Sequence, residues 1–129
     1  MSARLKLDEV KCEVDALVTR AQVQLSQAGI PKVGVASERT TDTSWRQTVA
    51  EATLNAVRAF IGPQPGVVLD SVMEVNPGRY PLIVVTMTMG SGSDEVYLSG
   101  SASIVDDRHV AVAKAVLHAL NRRLETILR

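Results

Sequence analysis

Aromatic side chains are nearly absent from this chain of 129 residues: one Trp, two Tyr and one Phe, or 3%. That excludes a core of stacked rings and leaves the interior to Val, Leu, Ile, Ala and Met. Cysteine is rarer still. Cys12 stands alone, so no intrachain disulfide can form, which suits a reducing cytosol. Neither sign of charge is in excess, with 14 Lys and Arg against 14 Asp and Glu. A neutral chain exerts no broad pull on phosphate backbones or anionic lipid, so neither nucleic acid nor membrane is expected as a partner. No apolar run approaches the roughly 20 residues of a membrane span. Met1 to Leu7 carry no apolar signal core. A cytoplasmic protein is expected. Only two histidines occur, His109 and His118. They lie nine residues apart, on opposite sides of one helix at about 100° per residue, and cannot share a metal within the chain. No metal and no cofactor is expected.

What the chain does have is periodicity. Ala50, Thr53, Leu54, Val57, Phe60 and Ile61 recur at helical steps, opposite Gln47, Glu51, Asn55 and Arg58. Ala113, Val116, Leu117, Leu120, Leu124, Ile127 and Leu128 form a second stripe. Lys114, His118, Asn121, Arg122, Glu125 and Arg129 lie across from it. Both patterns predict amphipathic helices on a core. Ser44 with Gln47 reads as a capping box, Asp107 as the N-cap of the second helix, and Gly62-Pro63 as the end of the first. Strict alternation predicts strands around Val10–Val14, Ala21–Leu25, Ile83–Met89 and Val96–Ile104. Turn residues fall at 27–31, 76–78 and 90–94, the last as a hairpin loop.

The order of elements repeats. Leu7-Asp8-Glu9-Val10 is echoed 62 residues later by Leu69-Asp70-Ser71-Val72. Residues 49–57 are echoed 63 residues later by 112–120, and at that offset Ser44 falls on Asp107. Stripe, cap and first strand agreeing together point to a duplication. The expected fold is α+β: tandem βββα units, antiparallel sheets with two amphipathic helices packed on them. Residues 1–129 form a single domain, with unit 1 at 4–62 and unit 2 at 67–129 about a Gly/Pro-rich linker. Each half alone, at about 60 residues, is marginal.

Gly100 to Glu125 is the most distinctive stretch, with Asp106-Asp107 entering a helix that ends Ala119-Leu120-Asn121-Arg122-Arg123-Leu124. It resembles the close of the C-terminal regulatory (dimerisation) domain of 2-isopropylmalate synthase and citramalate synthase, here as a stand-alone chain. That domain is also a tandem of βββα units. The resemblance implies dimerisation and a small amino-acid-like carboxylate held near the helix starts, at Thr43, Ser44, Gly100, Ser101, Asp106 and Asp107. One departure bears on this. The family's first unit enters its helix through a Gly-x-Gly-Pro-like loop at the ligand site, whereas Glu38-Arg39-Thr40-Thr41-Asp42-Thr43 has neither residue. Architecture and dimerisation are therefore better implied than amino-acid binding.

No catalytic set is expected. Cys12 keeps step with Val10 and Val14 and reads as an inward, inert thiol. Asp106 and Asp107 have the residue type for acid–base work, but they sit where a helix start needs a carboxylate. A Ser-His-Asp set of Ser101 or Ser103 with His109 rests on residue type alone. Asn121, Arg122, Arg123 and Arg129 read as a solvated helix end. The Gly90–Ser93 loop lacks the following Lys-Ser/Thr and helix of a phosphate loop.

The two units differ in their outward strand faces. The first carries Lys11, Glu13, Asp15, Arg20, Gln22 and Gln24. The second carries Val84, Thr86, Thr88, Tyr97, Ser99, Ser101 and Ser103, without a charge. An uncharged β face suits a covered surface, most simply one covered by a second copy. The sequence thus leads to a non-enzymatic, homodimeric, ligand-sensing or regulatory interaction module. The alternative is a structural subunit that binds another protein and no small molecule.

Overall fold

The computed structural model describes residues 4–127 except residue 91, with side chains in the last helix as far as Leu124. The expected stripe positions Ile127 and Leu128, and the wet-face positions Glu125 and Arg129, lie outside the described side chains. Two three-stranded antiparallel sheets are each followed by a helix, giving an α+β fold of repeated βββα layout. In the first unit β1 (Lys6–Val14), β2 (Val18–Gln27) and β3 (Ile30–Arg39) precede α1 (Ser44–Ile61). In the second, β4 (Val67–Val75), β5 (Leu82–Met89) and β6 (Val96–Ser103) precede α2 (Arg108–Ile127).

Both central strands follow their alternation. Thr19, Ala21, Val23 and Leu25 of β2 point into the core, as do Ile83, Val85, Met87 and Met89 of β5. The two-residue turn between β2 and β3 takes positive φ at Ala28 and Gly29, the geometry that matches strand twist in tight hairpins. β5 and β6 are antiparallel neighbours, with Met89 opposite Val96 at the end where the hairpin was expected. Gly62 stops α1 at φ 77°, its N–H donating to the Arg58 carbonyl at 2.8 Å.

The duplicated Leu-Asp pairs have a shared structural meaning. Strand register slips at Asp8 between Leu7 and Glu9, and again at Asp70 between Leu69 and Ser71. Each aspartate occupies a β-bulge. Asp8 accepts hydrogen bonds from Ser26 Oγ at 3.1 Å and Gln24 Nε2 at 3.2 Å, and Asp70 accepts one from Thr88 Oγ1 at 2.7 Å. At each bulge the short acid turns its carboxylate back to the neighbouring strand.

One continuous cluster of buried residues runs through both units. α1 packs on β2 and β3, and also touches α2 and β4; α2 packs on β6 and β5, and also touches α1 and β1. Each helix is therefore covered by its own sheet, by the other helix and by the first strand of the other unit. Ala111, Val112, Ala115 and Ala119 are buried as fully as the stripe of Ala113, Val116, Leu117, Leu120 and Leu124. Alanine allows this close covering on two sides. Leu25, Leu54, Ile83, Leu120 and Leu124 are fully enclosed. Truncating one such Leu or Ile to Ala costs roughly 2–5 kcal/mol.

β3 departs from simple patterning. Its inward positions are Lys32, Gly34, Ala36 and Glu38, while Val33 and Val35 lie outward at 45% and 60% exposure. Gly34 is buried against α1, where an added Cβ would collide with backbone atoms of Ala52 and Ala56.

Candidate functional site

The helix starts were the first expected site, and the two differ. Ser44, the expected N-cap of α1, is instead its first helical residue; Thr43 takes the cap position without a side-chain bond. The reason is a competing set of partners. Ser44 Oγ donates to the Thr41 carbonyl and accepts from the Thr41 N–H, both at 3.0 Å, and lies 2.8 Å from Thr19 Oγ1. The buried hydroxyl thus ties the β3–α1 loop to β2 and leaves no capping box. Asp107 caps α2 as expected. Its Oδ1 accepts the N–H groups of His109 at 2.8 Å and Val110 at 3.3 Å. Asp106 is exposed.

Gly100 and Ser101 sit along α2 beyond its start. An added Cβ at Gly100 would strike backbone atoms of Ala115 and Ala119. The Ser101 N–H donates to His118 Nδ1 at 3.0 Å, which fixes that nitrogen as the unprotonated one.

Between the helix starts the structure assembles residues that sequence reasoning passed over. The Arg108 guanidinium lies 4.2 Å above the Trp45 ring, and the His109 ring meets the same indole edge-on at 5.7 Å. At the 63-residue offset Trp45 falls on Arg108. Equivalent positions touch one another, as they must where an approximate two-fold passes between the units. The repeat offset was the available signal. Burial lowers the His109 pKa, opposed by the Asp107 carboxylate and assisted by Arg108. His109 Nε2 is buried without a hydrogen-bond partner.

Cys12 faces inward opposite Ala21. Burial pushes its thiol pKa up, against a smaller downward pull from Arg108. That is the environment of an inert thiol. Among the described residues no three His, Cys, Asp or Glu side chains gather as a metal site requires, and no helix is long and apolar enough to cross a membrane.

The second expected site is the outer face of the β4–β6 sheet. The register sets Val84 opposite Ser101, Thr86 opposite Ser99, Thr88 opposite Tyr97, and Leu82 opposite Ser103. All of these point away from the inward side chains that meet α2. β4 extends the face with Val68, Ser71 and Met73, paired to Thr88, Thr86 and Val84. Tyr97, Val68 and Met73 are 78%, 62% and 46% exposed. The hydroxyls satisfy one another in part, with Ser71 Oγ 2.6 Å from Thr86 Oγ1. Asp70 brings the one charge, at the bulge.

The twin face on the first sheet is ionic. Lys11 pairs with Glu9 at 3.7 Å and Arg20 with Asp15 at 3.5 Å. Asp15 itself lies in the β1–β2 turn, where its carboxylate accepts the N–H groups of Leu17 and Val18. Those bonds, Val18 first, hold its pKa below the usual carboxylate value.

No protein-family model matches the chain, and no curated protein is similar enough to count as a relative.

Proposed function

We propose that the chain is a non-catalytic interaction module that works as a homodimer, two copies meeting through the outer face of the β4–β6 sheet. The asymmetry between the twin faces carries this reading. Both expose apolar side chains, Val33 and Val35 on the first and Val68, Met73 and Tyr97 on the second, but only the first sets them among ion pairs that suit water; the second sets them among Thr and Ser. Exposed apolar side chains gathered on a flat, nearly uncharged surface favour a covered face. The sequence resemblance to the dimerising domain of 2-isopropylmalate synthase and citramalate synthase agrees in architecture.

Sedimentation of the intact protein at micromolar concentration tests this. The expected result is a dimer that Met73→Lys and Tyr97→Lys convert to a folded monomer, while Gln22→Lys on the twin face leaves it intact. A monomer for the unaltered chain would sink the reading.

The ligand-sensing form of the reading places a small amino-acid-like carboxylate at the start of α1. There Thr43 leaves first-turn donors without a side-chain cap; at α2, Asp107 has already taken two. A thermal-shift panel of amino acids and short carboxylates separates this from a purely structural subunit. A ligand at 100 times its Kd stabilises by about 2.7 kcal/mol, which is readily seen. No shift across the panel favours the structural subunit.

A further inference from the structure

The same place in the two units is closed in one and open in the other. In the first unit Lys32, on the edge strand β3, reaches across to α1. Its Nζ donates to the Ala59 carbonyl at 2.8 Å and lies 5.0 Å from the Phe60 ring centre. Gly34 and Gly100 hold equivalent positions against the helices, so Leu98, two residues before Gly100, is the counterpart of Lys32. Arg122 and Arg123 replace Ala59 and Phe60 at the 63-residue offset. Leucine cannot make the bridge, and a groove of about 760 Å³ remains between β6 and α2.

Its two walls have complementary uses. Ser101 turns its N–H outward from β5, toward His118. Tyr97 and Ser99 share that parity, so their backbone N–H and C=O groups face the same open edge. Outside the strand ladder neither makes a backbone–backbone bond to another described residue. The helical wall is basic. Lys114 and Arg122 stand eight residues apart on α2, with His118 between them taken up by the Ser101 N–H, and Arg123 and Arg4 continue the lining. Lys114, Arg122 and Arg123 make no ion pair with a described residue. In a chain of balanced charge, no Asp or Glu lines this groove among the described residues.

We propose that the groove binds an extended acidic peptide segment, which adds to β6 as a fourth strand and sets alternate Asp or Glu side chains against the basic stripe of α2. Strand addition supplies partners for the open edge. The spacings agree: side chains four apart along a strand lie ~13 Å from one another, and helical positions eight apart, as Lys114 and Arg122 are, lie ~12 Å apart. The occupant is acidic because every charged group described along the wall is a cation.

Fluorescence polarisation on the intact protein at low ionic strength, with a labelled, acetylated Glu-Val-Glu-Val-Glu-Val peptide, tests the proposal. Binding is expected to weaken about tenfold or more in the Arg122→Glu/Arg123→Glu variant, whose exposed sites preserve the fold, and in high salt. It should weaken equally for a peptide N-methylated on its pairing edge, a probe that leaves the protein untouched. Equal binding of the N-methylated peptide would reduce the groove to a simple anion site and overturn strand addition. Equal binding of a Lys-Val peptide, or none at about millimolar concentration, would overturn the proposal outright.

Discussion

Gly34 and Gly100 do the same work in the two units. Each lies on an edge strand under the middle of its helix, and each would drive a methyl group into the backbone of two alanines four residues apart, Ala52 and Ala56 or Ala115 and Ala119. The obstacle is main chain, which cannot rotate aside.

Gly34→Ala and Gly100→Ala are therefore expected to destabilise the protein by about 1–3 kcal/mol each, the usual range for overpacking. Glycine-to-alanine changes at sites with free space instead stabilise slightly, by stiffening the unfolded chain. Urea midpoints check the sign as well as the size. A neutral or stabilising result at either position would mean that the helix stands farther from its sheet.

The bulge aspartates make a second, paired prediction. Asp8→Ala loses the bonds from Ser26 and Gln24, and Asp70→Ala loses the bond from Thr88. Asp70→Ala is expected to cost about 1 kcal/mol, the net worth of one ordinary hydrogen bond at a site open to solvent, and Asp8→Ala more, because two bonds are lost. Asp70→Asn keeps an acceptor for Thr88 and should cost less. Equilibrium denaturation of the three variants gives the ranking.

His109 supplies a pH dependence of definite sign. Its folded pKa lies below the ordinary value of 6.5, chiefly through burial, with Asp107 opposing. The unfolded chain then binds the proton more readily. Stability associated with neutral His109 is present above about pH 6.5 and is lost as the pH falls through the lower folded value. His109→Phe keeps an aromatic edge toward Trp45 and removes the titrating group. Unfolding free energies between about pH 5 and 7 should fall less steeply in the variant than in the unaltered chain. Parallel curves would show that burial does not govern this group.

Much of the fold was legible because its signals are local. The helical stripes, the alternation of β2 and β5, the cap at Asp107 and the stop at Gly62 each depend on neighbours within one or two turns. The echo of Leu7-Asp8 in Leu69-Asp70 also survived translation into structure, since both aspartates hold a bulge. β3 was illegible for a physical reason. Its inward positions hold Gly34 and Ala36, chosen for closeness to α1, while Val33 and Val35 face outward. Apolarity there marks the wrong side. Ser44 misled for a related reason: its hydroxyl fits a cap, but Thr19 and Thr41 hold it.

The sequence by itself determined two βββα units in tandem, because periodicity and a repeated spacing need no knowledge of distant contacts. Only the tertiary structure decided how far the helices are buried, since each is covered by its own sheet and also by the other helix and the first strand of the other unit. It also brought Trp45 onto Arg108 at the meeting of the helix starts. And it decided that Lys32 closes in the first unit a groove that Leu98 leaves open in the second. Such outcomes depend on which surfaces meet across the chain, and duplicated segments with the same local pattern can differ in them through a single side chain.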